Sequence, residues 1–274
     1  MTRTDPPYDV LVDIWARVAD RFVDDHYESL RGRVRTRIID AHLGEILPSP
    51  PARVVDVGGG AGNQSLPLSR RGYNVTIIDP SPAMLSKART ALEEESQEVR
   101  SRVDLIQSTG EEALEHVDPA SFDAVLCHAV LPYLENPEPL VAMLCELATS
   151  DGVLSVVAKN RDTLAMAPGL DARWDDALVA FDAGREVNRL GLDTRADTPA
   201  DIQRMLRENG VEPLGWFGVR LFTDMLAEDL EIGDDEQVVA VELEASRRDP
   251  YRQLSRLFHV VGRKLSDSSR SSAA

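Results

Sequence analysis

The sequence has few of the residues that mark disulfide-rich, metal-binding and membrane proteins. Its two cysteines, Cys127 and Cys145, lie in apolar stretches, which predicts buried thiols and no disulfide. Cys and His residues are not clustered at the spacing of metal ligands, so no metal site is expected. Apolar runs stay below the ~18 residues that span a bilayer, and residues 1–8 do not resemble a signal peptide. These absences predict a cytoplasmic protein with no membrane partner.

Positive charge is also scarce, with 30 Lys and Arg residues against 47 Asp and Glu residues and a net charge of −17. Such a protein repels polyanions at long range, so a nucleic-acid partner would need a local basic patch. One candidate patch consists of Arg31, Arg33, Arg35 and Arg37, which a helix arranges as two stacked pairs. An ordinary solvated helix surface explains the same pattern equally well.

Short apolar runs alternate with helical periods along a chain of 274 residues that is 43% hydrophobic. Strands are predicted at residues 53–57, 74–78, 103–107, 123–127 and 152–158. Helices are predicted at residues 64–70, 82–94, 111–116 and 137–148. Because strands and helices alternate with short connections, the sequence predicts an α/β fold with a doubly wound, mostly parallel sheet.

The regions around this core divide the chain further. Residues 1–50 are predicted to be an N-terminal helical segment, and residues 265–274 a Ser-rich disordered tail. Residues 51–264 form the main domain, in which residues 160–200 are an insertion. This insertion is either a helical substrate lid or an ordinary packed helical pair. A helix is expected at 198–209 and strands at 216–222 and 257–261, whereas 237–243 suits either a strand or a helix.

The most informative feature is the glycine-rich loop that follows the first predicted strand. Gly58, Gly60 and Gly62 let the backbone turn sharply and approach a ligand where a Cβ would collide. Asp79 ends the second strand about 20 residues later, where a carboxylate can accept hydrogen bonds from a ribose hydroxyl. A nicotinamide or flavin dinucleotide would favour a G-x-G-x-x-G spacing, but Asn63 occupies the position of the third glycine.

The G-x-G-x-G spacing that is present resembles the first motif of the class I S-adenosylmethionine-dependent methyltransferases. This resemblance implies a cofactor whose amino-acid end lies over the loop, so S-adenosyl-L-methionine is the expected cofactor. A dinucleotide oxidoreductase and a catalytically silent cofactor-binding relative are the alternatives.

Polar residues follow the third and fourth predicted strands at the same edge of the sheet. His128 comes directly after the fourth strand, where it either contacts cofactor or substrate or has a purely structural role. Thr109 and Gly110 follow the third strand and are placed to pass beneath an adenine ring. Glu111 and Glu112 are placed to accept hydrogen bonds from the adenine amino group, or they serve only as carboxylates at a helix N-terminus.

Nearly the whole chain is similar to the bacterial tRNA 5-carboxymethoxyuridine methyltransferase family. The similar blocks lie at residues 26–35, 56–62, 127–131, 160, 218–224, 250–256 and 259–264. The resemblance implies a seven-stranded class I fold and makes residues 237–243 a helix. It also implies a set of cofactor contacts: Arg35, Asp56, Gly58, Gly59, Gly60, Asp79, Thr109, Gly110, Glu111 and His128. Arg35 would bind the cofactor's carboxylate.

The reaction expected from this resemblance is methyl transfer to a carboxylate oxygen, with the wobble 5-carboxymethoxyuridine of tRNA as one acceptor. A carboxylate is ionised at neutral pH and needs only a cation that orients it. The candidate cations are Arg189, Arg195, Arg220 and Arg256. A phenol or amine acceptor would instead need a base, for which His128 and Tyr133 are the candidates.

Two classes of substrate remain open at this point. The distal sequence blocks favour tRNA, whereas residues 171–201 favour a small metabolite because they hold four arginines among seven aspartates and one glutamate. The expected partners are therefore a small-molecule cofactor and either tRNA or a small metabolite. A homodimer is compatible with the sequence.

Overall fold

The computed structural model describes residues 29–188, 190–226 and 234–266. One sheet contains seven strands, in the order β3-β2-β1-β4-β5-β9-β8. These strands are β1 (Arg53–Val57), β2 (Asn74–Asp79), β3 (Val103–Gln107), β4 (Phe122–His128), β5 (Ala148–Lys159), β8 (Val211–Val219) and β9 (Leu257–Lys264). Strands β1 to β5 are parallel, and β9 runs antiparallel to both β5 and β8. The predicted α/β fold with a seven-stranded, mostly parallel sheet is confirmed.

Helices connect the strands and cover both faces of the sheet. They are α1 (Leu30–Ile46), α2 (Ser65–Arg70), α3 (Pro82–Glu93), α4 (Gln97–Arg100), α5 (Glu138–Leu147), α6 (Met166–Leu170), α7 (Trp174–Ala180), α8 (Pro199–Glu208), α9 (Phe222–Met225) and α10 (Asp235–Ala245). Single turns of 3-10 helix lie at Ala113–Glu115, Leu131–Tyr133, Arg161–Thr163 and Tyr251–Leu254. In the described part of the chain, no helix is both long enough and apolar enough to cross a membrane.

Alternating side chains of the central strands pack into two separate cores. Val54 packs with Ile38 on the α1 side, whereas its neighbour Val55 packs with Leu140 and Leu144 on the α5 side. All of these side chains are fully buried or nearly so. A parallel strand that is buried on both faces explains why the sequence shows unbroken apolar runs. The two cores fix the strands, and the carboxyl ends of β1 to β4 therefore meet at one edge.

Local sequence signals account for where several helices begin. Ser81 accepts a hydrogen bond from the Met84 amide, and Pro82 fills the first turn of α3. Thr198 and Asp201 form a reciprocal capping box at the start of α8. Both caps are local sequence patterns. The predicted helices at 82–94 and 198–209 are confirmed within two residues.

Four sequence predictions need correction or refinement. Residues 111–116 form no α-helix, because Thr109 and Glu112 bond to each other and leave only one 3-10 turn, Ala113–Glu115. The strand predicted at 216–222 lies earlier, at Val211–Val219, since Arg220 adopts φ +63° and ends it. The ambiguous residues 237–243 are helical and belong to α10. β5 starts at Ala148 instead of 152.

The insertion at residues 160–200 is not purely helical. Besides α6 and α7 it contains an antiparallel hairpin of β6 (Arg185–Val187) and β7 (Asp193–Arg195). Within the hairpin loop the Asn188 side chain accepts hydrogen bonds from the Leu190 and Leu192 amides, and Gly191 has φ +77°. The side chain of Asn188 and the left-handed conformation of Gly191 therefore form this turn, which was not predicted from the sequence. The role of this insertion as a lid stays a prediction.

Both cysteines are buried free thiols, as predicted. Most of the N-terminal helical segment predicted at 1–50 falls on residues 1–28, which lie outside the described residues. The same holds for residues 267–274 of the predicted tail.

Candidate cofactor and acceptor site

A cavity of about 540 Å³ lies at the carboxyl edge of the sheet, among the loops that follow β1 to β5. Most of the side chains predicted for the site line this cavity. They are Arg35, Gly58, Gly60, Asp79, Thr109, Gly110, Glu111, His128, Tyr133, Arg220 and Arg256. Among the other predicted residues, Arg189 lies outside the described residues, and Asp56, Gly59 and Arg195 are absent from the cavity lining.

The glycine-rich loop lies so close to the loop after β4 that a side chain cannot fit between them. A Cβ on Gly58 would come within 2.2 Å of Val130 Cγ2, and Gly58 has φ +73°. The Gly58 amide donates to the Ile78 carbonyl at 2.7 Å, which ties the loop to β2. Glycine is required here for both conformation and space.

Asp79 joins the ends of β1 and β2 through its carboxylate. Its Oδ2 accepts a hydrogen bond from the Gly60 amide at 2.9 Å, and its Oδ1 accepts one from the Ser81 amide at 2.8 Å. Burial raises its pKa to about 6, against the lowering effect of these two hydrogen bonds. A carboxylate with free lone pairs therefore faces the cavity, where a pair of vicinal hydroxyl groups could donate to it.

Asp56 and Gly59 support the glycine-rich loop from beneath and do not face the cavity. Asp56 Oδ2 accepts a hydrogen bond from Ser65 Oγ at 2.6 Å at the start of α2. A Cβ on Gly59 would come within 2.8 Å of the Asp56 carboxyl carbon. Burial raises the pKa of Asp56 to about 6, although Ser65 and Arg35 lower it. These contacts give both residues a supporting position, and their predicted direct contact with a cofactor stays a prediction.

Arg35 and His128 lie together at the end of β4. The Arg35 Nη2 donates to the His128 carbonyl oxygen at 3.5 Å, and both side chains line the cavity. Burial, with a contribution from the Arg35 charge, lowers the pKa of His128 to about 3. His128 is therefore neutral at physiological pH, and its low pKa disfavours the role of general base that a phenol or amine acceptor would need.

The residues after β3 close the cavity on another side. A Cβ on Gly110 would come within 2.4 Å of Leu140 Cδ1, so only glycine fits here. Thr109 Oγ1 donates to Glu112 Oε2 at 2.9 Å, and the Glu112 amide donates back to Thr109 Oγ1 at 3.2 Å. This turn occupies Glu112 and leaves Glu111 as the acidic side chain that lines the cavity.

A buried ion cluster on the opposite side of the cavity was not predicted from the sequence. Lys159 ends β5, and its Nζ lies 2.7 Å from Glu186 Oε1 of the hairpin. Arg256, just before β9, bonds to the same Glu186 oxygen, and its Nη1 is buried without a hydrogen-bond partner among the described residues. Burial lowers the pKa of Lys159, as do the charges of Arg256 and Arg220, while Glu186 raises it. Two cations thus share one carboxylate at the cavity wall.

A second ion cluster adjoins the first and holds Arg220. Its guanidinium donates to both carboxylate oxygens of Asp224 at 2.6 Å, and Arg31 Nε lies 3.9 Å from the same carboxylate. Burial pushes the Asp224 pKa upward, but the charge and hydrogen bonds of Arg220, with the charges of Arg256 and Arg31, together outweigh this and lower the pKa below its ordinary value. Arg220 reaches the cavity wall already paired.

The remaining predicted cations are placed elsewhere. Arg195 lines a separate small pocket, where it pairs with Asp197 at 2.5 Å and donates to the Glu135 carbonyl at 2.9 Å. In the proposed basic patch, Arg33 and Arg37 bond to Asp235 and Glu236 of α10. The patch therefore fits the alternative of a paired helix surface better than that of a nucleic-acid site.

Lys159 and Glu186 were not predicted from the sequence, and only Lys159 has a sequence position that could have indicated its role. Lys159 is a charged residue at the end of an apolar strand, next to the strand that carries His128. A charge at that edge of a parallel sheet is typical of a ligand site. Glu186 gave no signal, because its hairpin was not recognised.

Comparison with known proteins agrees with this geometry. Residues 55–156 match the model of a family described as a methyltransferase domain. The chain is 29% identical over 252 residues to the tRNA 5-carboxymethoxyuridine methyltransferase of Escherichia coli K12, covering 90% of this chain and 94% of the relative. It is 35% identical over 118 residues to a ubiquinone biosynthesis O-methyltransferase of Xanthomonas campestris, covering 43% and 47% of the two chains.

Solved structures show the same fold at low sequence identity. The magnesium protoporphyrin IX methyltransferase of Synechocystis, crystallised with S-adenosylhomocysteine, superposes with a TM-score of 0.63 at 15% identity. The match covers 93% of this chain and 99% of that chain. The matched domain and the similar relatives identify this chain as an S-adenosylmethionine-dependent methyltransferase, and the solved structures share its fold.

Proposed function

We propose that this enzyme transfers a methyl group to a carboxylate oxygen of an anionic acceptor, the wobble 5-carboxymethoxyuridine of a tRNA. The observation that carries the proposal is the cluster in which Lys159 and Arg256 share Glu186 while Arg256 Nη1 has no acceptor among the described residues. A buried guanidinium N–H without a partner is costly, and a bound carboxylate would supply that partner. The proposed location of the enzyme is the cytoplasm.

The residues on the other side of the cavity fit the cofactor. Gly58 and Gly60 leave room for a ligand against the backbone, Asp79 offers a carboxylate to ribose hydroxyls, and Arg35 offers a guanidinium to a carboxylate. Glu111 is placed to accept from an adenine amino group. We assign these residues, with Thr109, Gly110 and His128, to cofactor binding.

The chemistry requires little from protein side chains beyond positioning. When bound, S-adenosylmethionine supplies a methyl group on a sulfonium, which is a good leaving group. The acceptor carboxylate is ionised at neutral pH, so the enzyme needs no general base. Holding acceptor and cofactor in line can contribute ~7–11 kcal/mol to lowering the barrier. The low pKa of His128 suits a reaction that takes up no proton.

The shared carboxylate also matters for reactivity. A cation that neutralised the acceptor fully would orient it but weaken it as a nucleophile. Because Arg256 is already bonded to Glu186, it can orient a second carboxylate while its charge is partly balanced. The same argument favours Arg256 over Arg220, whose guanidinium already makes two hydrogen bonds to Asp224.

The residues around the cavity mouth support the lid role proposed for the insertion. The cavity lining includes two residues of α6, Ala167 and Pro168, and three of the hairpin region, Glu186, Asn188 and Thr194. The insertion therefore covers the acceptor and contributes Glu186, the carboxylate that balances the charges of Lys159 and Arg256. A homodimer remains a further prediction.

The identity of the acceptor rests on the similarity to the tRNA-modifying relative over almost its full length. A small carboxylate metabolite is the second candidate, and one observation favours it. Arg173, Arg185 and Arg195 of the insertion are all paired with acidic side chains of this chain and present no unbalanced basic surface to RNA.

The test is methyl transfer from labelled S-adenosylmethionine to tRNA that carries 5-carboxymethoxyuridine, compared with a panel of small carboxylic acids. Transfer to the tRNA in a base-labile ester supports the first candidate, and transfer only to a small acid supports the second. Arg256→Ala should lower kcat/KM for the acceptor by about 10- to 100-fold, because a charge-assisted hydrogen bond is lost, without changing cofactor affinity.

The matched control is Arg248→Ala, since Arg248 forms an exposed pair with Glu244 far from the cavity. It should leave transfer unchanged. Equal effects of the two substitutions, or transfer to a neutral acceptor alone, would remove the carboxylate proposal.

A further inference from the structure

A continuous chain of hydrogen bonds crosses the buried layer between α1 and the sheet, from the cavity to the end of α10. It runs from His128 through Ser155, His259 and His42 to Ser246, and we call it the histidine relay. The links are His128 Nε2 to Ser155 Oγ at 2.8 Å, Ser155 Oγ to His259 Nε2 at 2.7 Å, His259 Nδ1 to His42 Nδ1 at 3.2 Å, and His42 Nε2 to Ser246 Oγ at 3.0 Å. The four members beyond His128 are at most 1% exposed. The methyl-transfer reaction described above makes no use of them.

The three imidazoles of the histidine relay are neutral. Burial lowers the pKa of His42 to about 3 and that of His259 well below its ordinary value, and nearby Arg247 and the other imidazoles lower them further. His128 has a pKa of about 3 for the reasons given above. A neutral imidazole carries one N–H and one bare nitrogen, so each ring must donate on one side and accept on the other.

The far end of the histidine relay fixes the direction in which all its protons point. Ser246 Oγ donates its only proton to the Leu243 carbonyl at 2.7 Å, so it accepts from His42 Nε2–H. The bare Nδ1 of His42 then accepts from His259 Nδ1–H. The bare Nε2 of His259 accepts from Ser155 Oγ–H, whose oxygen accepts from His128 Nε2–H. The hydrogen bond from Ser246 Oγ to the Leu243 carbonyl, at the end of α10, therefore determines that His128 Nδ1 carries no proton.

The opposite direction is disfavoured at both ends. It would turn the Ser246 hydroxyl away from the Leu243 carbonyl and place a proton on His128 Nδ1. That nitrogen is buried and has no partner among the described residues. Unpaired buried N–H groups are rare, because they lose their bond to water and gain nothing in return.

We propose that Ser246, His42, His259 and Ser155 are positioning residues that hold His128 as the neutral Nε2–H tautomer. In this tautomer Nδ1 of His128, a residue that lines the cavity, carries a lone pair that lacks a donor among the described residues and can accept a hydrogen bond from a bound ligand. The donor is the α-ammonium group of the cofactor, an assignment that rests on the S-adenosylmethionine dependence of the enzyme.

The neighbouring charges explain why an ammonium is the donor. Arg35 bonds to the His128 backbone and shares the cavity wall with its ring. The amino-acid end of the cofactor is a zwitterion, so it needs a cation for its carboxylate and an acceptor for its ammonium. Arg35 and His128 Nδ1 supply this pair only if Nδ1 carries no proton. A protonated Nδ1 would repel the ammonium.

The first test reads the tautomers directly by ¹⁵N NMR of the histidine rings in the wild-type enzyme at pH 7. The expected pattern alternates: Nε2–H for His128, Nδ1–H for His259 and Nε2–H for His42. Ser155→Ala should remove the hydrogen-bond shift at His128 Nε2, whereas Ser69→Ala should not. Ser69 is a matched control because it is fully buried and donates only to the Leu66 carbonyl at 2.8 Å. A His128 found as Nδ1–H or as imidazolium would overturn the proposal, and this result does not depend on any variant folding.

The second test identifies the donor with two probes, S-adenosylhomocysteine and its desamino analogue. His128→Ala should raise the dissociation constant of S-adenosylhomocysteine by about tenfold, because one hydrogen bond to a charged group is lost. The dissociation constant of the desamino analogue should not change. Equal losses for both probes would overturn the ammonium contact. Failure of the wild-type enzyme to bind S-adenosylhomocysteine at all would overturn the cofactor assignment, while the NMR pattern would still decide the tautomer.

Discussion

The two sides of the cavity are built by different physical means. The half proposed to bind the cofactor consists of the loops after β1 to β4 and includes Gly58, Gly60 and Gly110 in its lining. The half proposed to bind the acceptor consists of ion-paired side chains from distant parts of the chain: Lys159, Glu186, Arg256, Arg220 and Asp224. The first half is held by the sheet itself and the second by charge balance. Substitutions should therefore change binding in the cofactor half and both stability and turnover in the acceptor half.

Glu186→Gln should produce the largest effect, because it removes the carboxylate that Lys159 and Arg256 share. Leaving two half-buried cations unbalanced should lower the free energy of unfolding by about 2–4 kcal/mol, measured by urea denaturation. Cofactor affinity should stay unchanged. Glu244→Gln is the control, because the pair of Glu244 with Arg248 is exposed. A similar loss of unfolding free energy in both variants would mean that the ion cluster stabilises the fold no more than an exposed pair does.

Asp79→Asn should act on the other half alone. It should raise the dissociation constant of S-adenosylhomocysteine by about 10- to 100-fold, because charge-assisted hydrogen bonds from ribose hydroxyls are lost. The KM for the acceptor should not change. Asp104→Asn, on the exposed face of the neighbouring β3, is the control. Calorimetry that finds wild-type affinity in Asp79→Asn would remove the ribose assignment.

Cofactor affinity should rise by up to about tenfold between pH 5 and pH 7, because Asp79 has a pKa of about 6 and binds hydroxyl donors better when ionised. The contribution of this carboxyl to stability has the opposite sign. Its pKa lies above the ordinary 3.8, so between these two values the folded state holds a proton that the unfolded chain has released, and the contribution falls as pH rises from about 4 to about 6. Titration calorimetry at several pH values measures the first effect. Asp79→Asn should remove this pH dependence of cofactor affinity. An unchanged pH dependence in that variant would assign the titration to another group.

Arg195→Ala should have the smallest effect. Its side chain lies in a separate pocket, so acceptor KM and cofactor affinity should change by less than twofold. Its half-buried pair with Asp197 predicts a loss of stability of about 1 kcal/mol or less. A tenfold drop in kcat/KM with an intact fold would place the acceptor nearer to this pocket than to Arg256.

The same division separates what the sequence could predict from what it could not. β1 to β3, the glycine loop and Asp79 were predicted within one residue, because an apolar run followed by glycines is a local pattern. His128 could be placed for the same reason, since it directly follows an apolar strand.

The acceptor half has no local pattern. Arg256 meets Glu186 across 70 residues, and only the arrangement of the hairpin beside β9 brings them together. Arg195 and Arg256 looked alike as sequence candidates, and only the fold separates them. The tautomer of His128 was equally hidden, because it depends on Ser246, which lies at the end of α10 and far from His128 in the sequence.

The position of β9 has a consequence for the order in which this protein can assemble. β9 lies between β5 and β8, so β8 has no neighbour in the sheet until β9 has paired with both. Arg256 and His259 belong to the same late segment. During synthesis the glycine loop and its aspartate can form while most of the distal half is still being translated. The ion-paired side of the cavity and the histidine relay cannot form until this strand has left the ribosome.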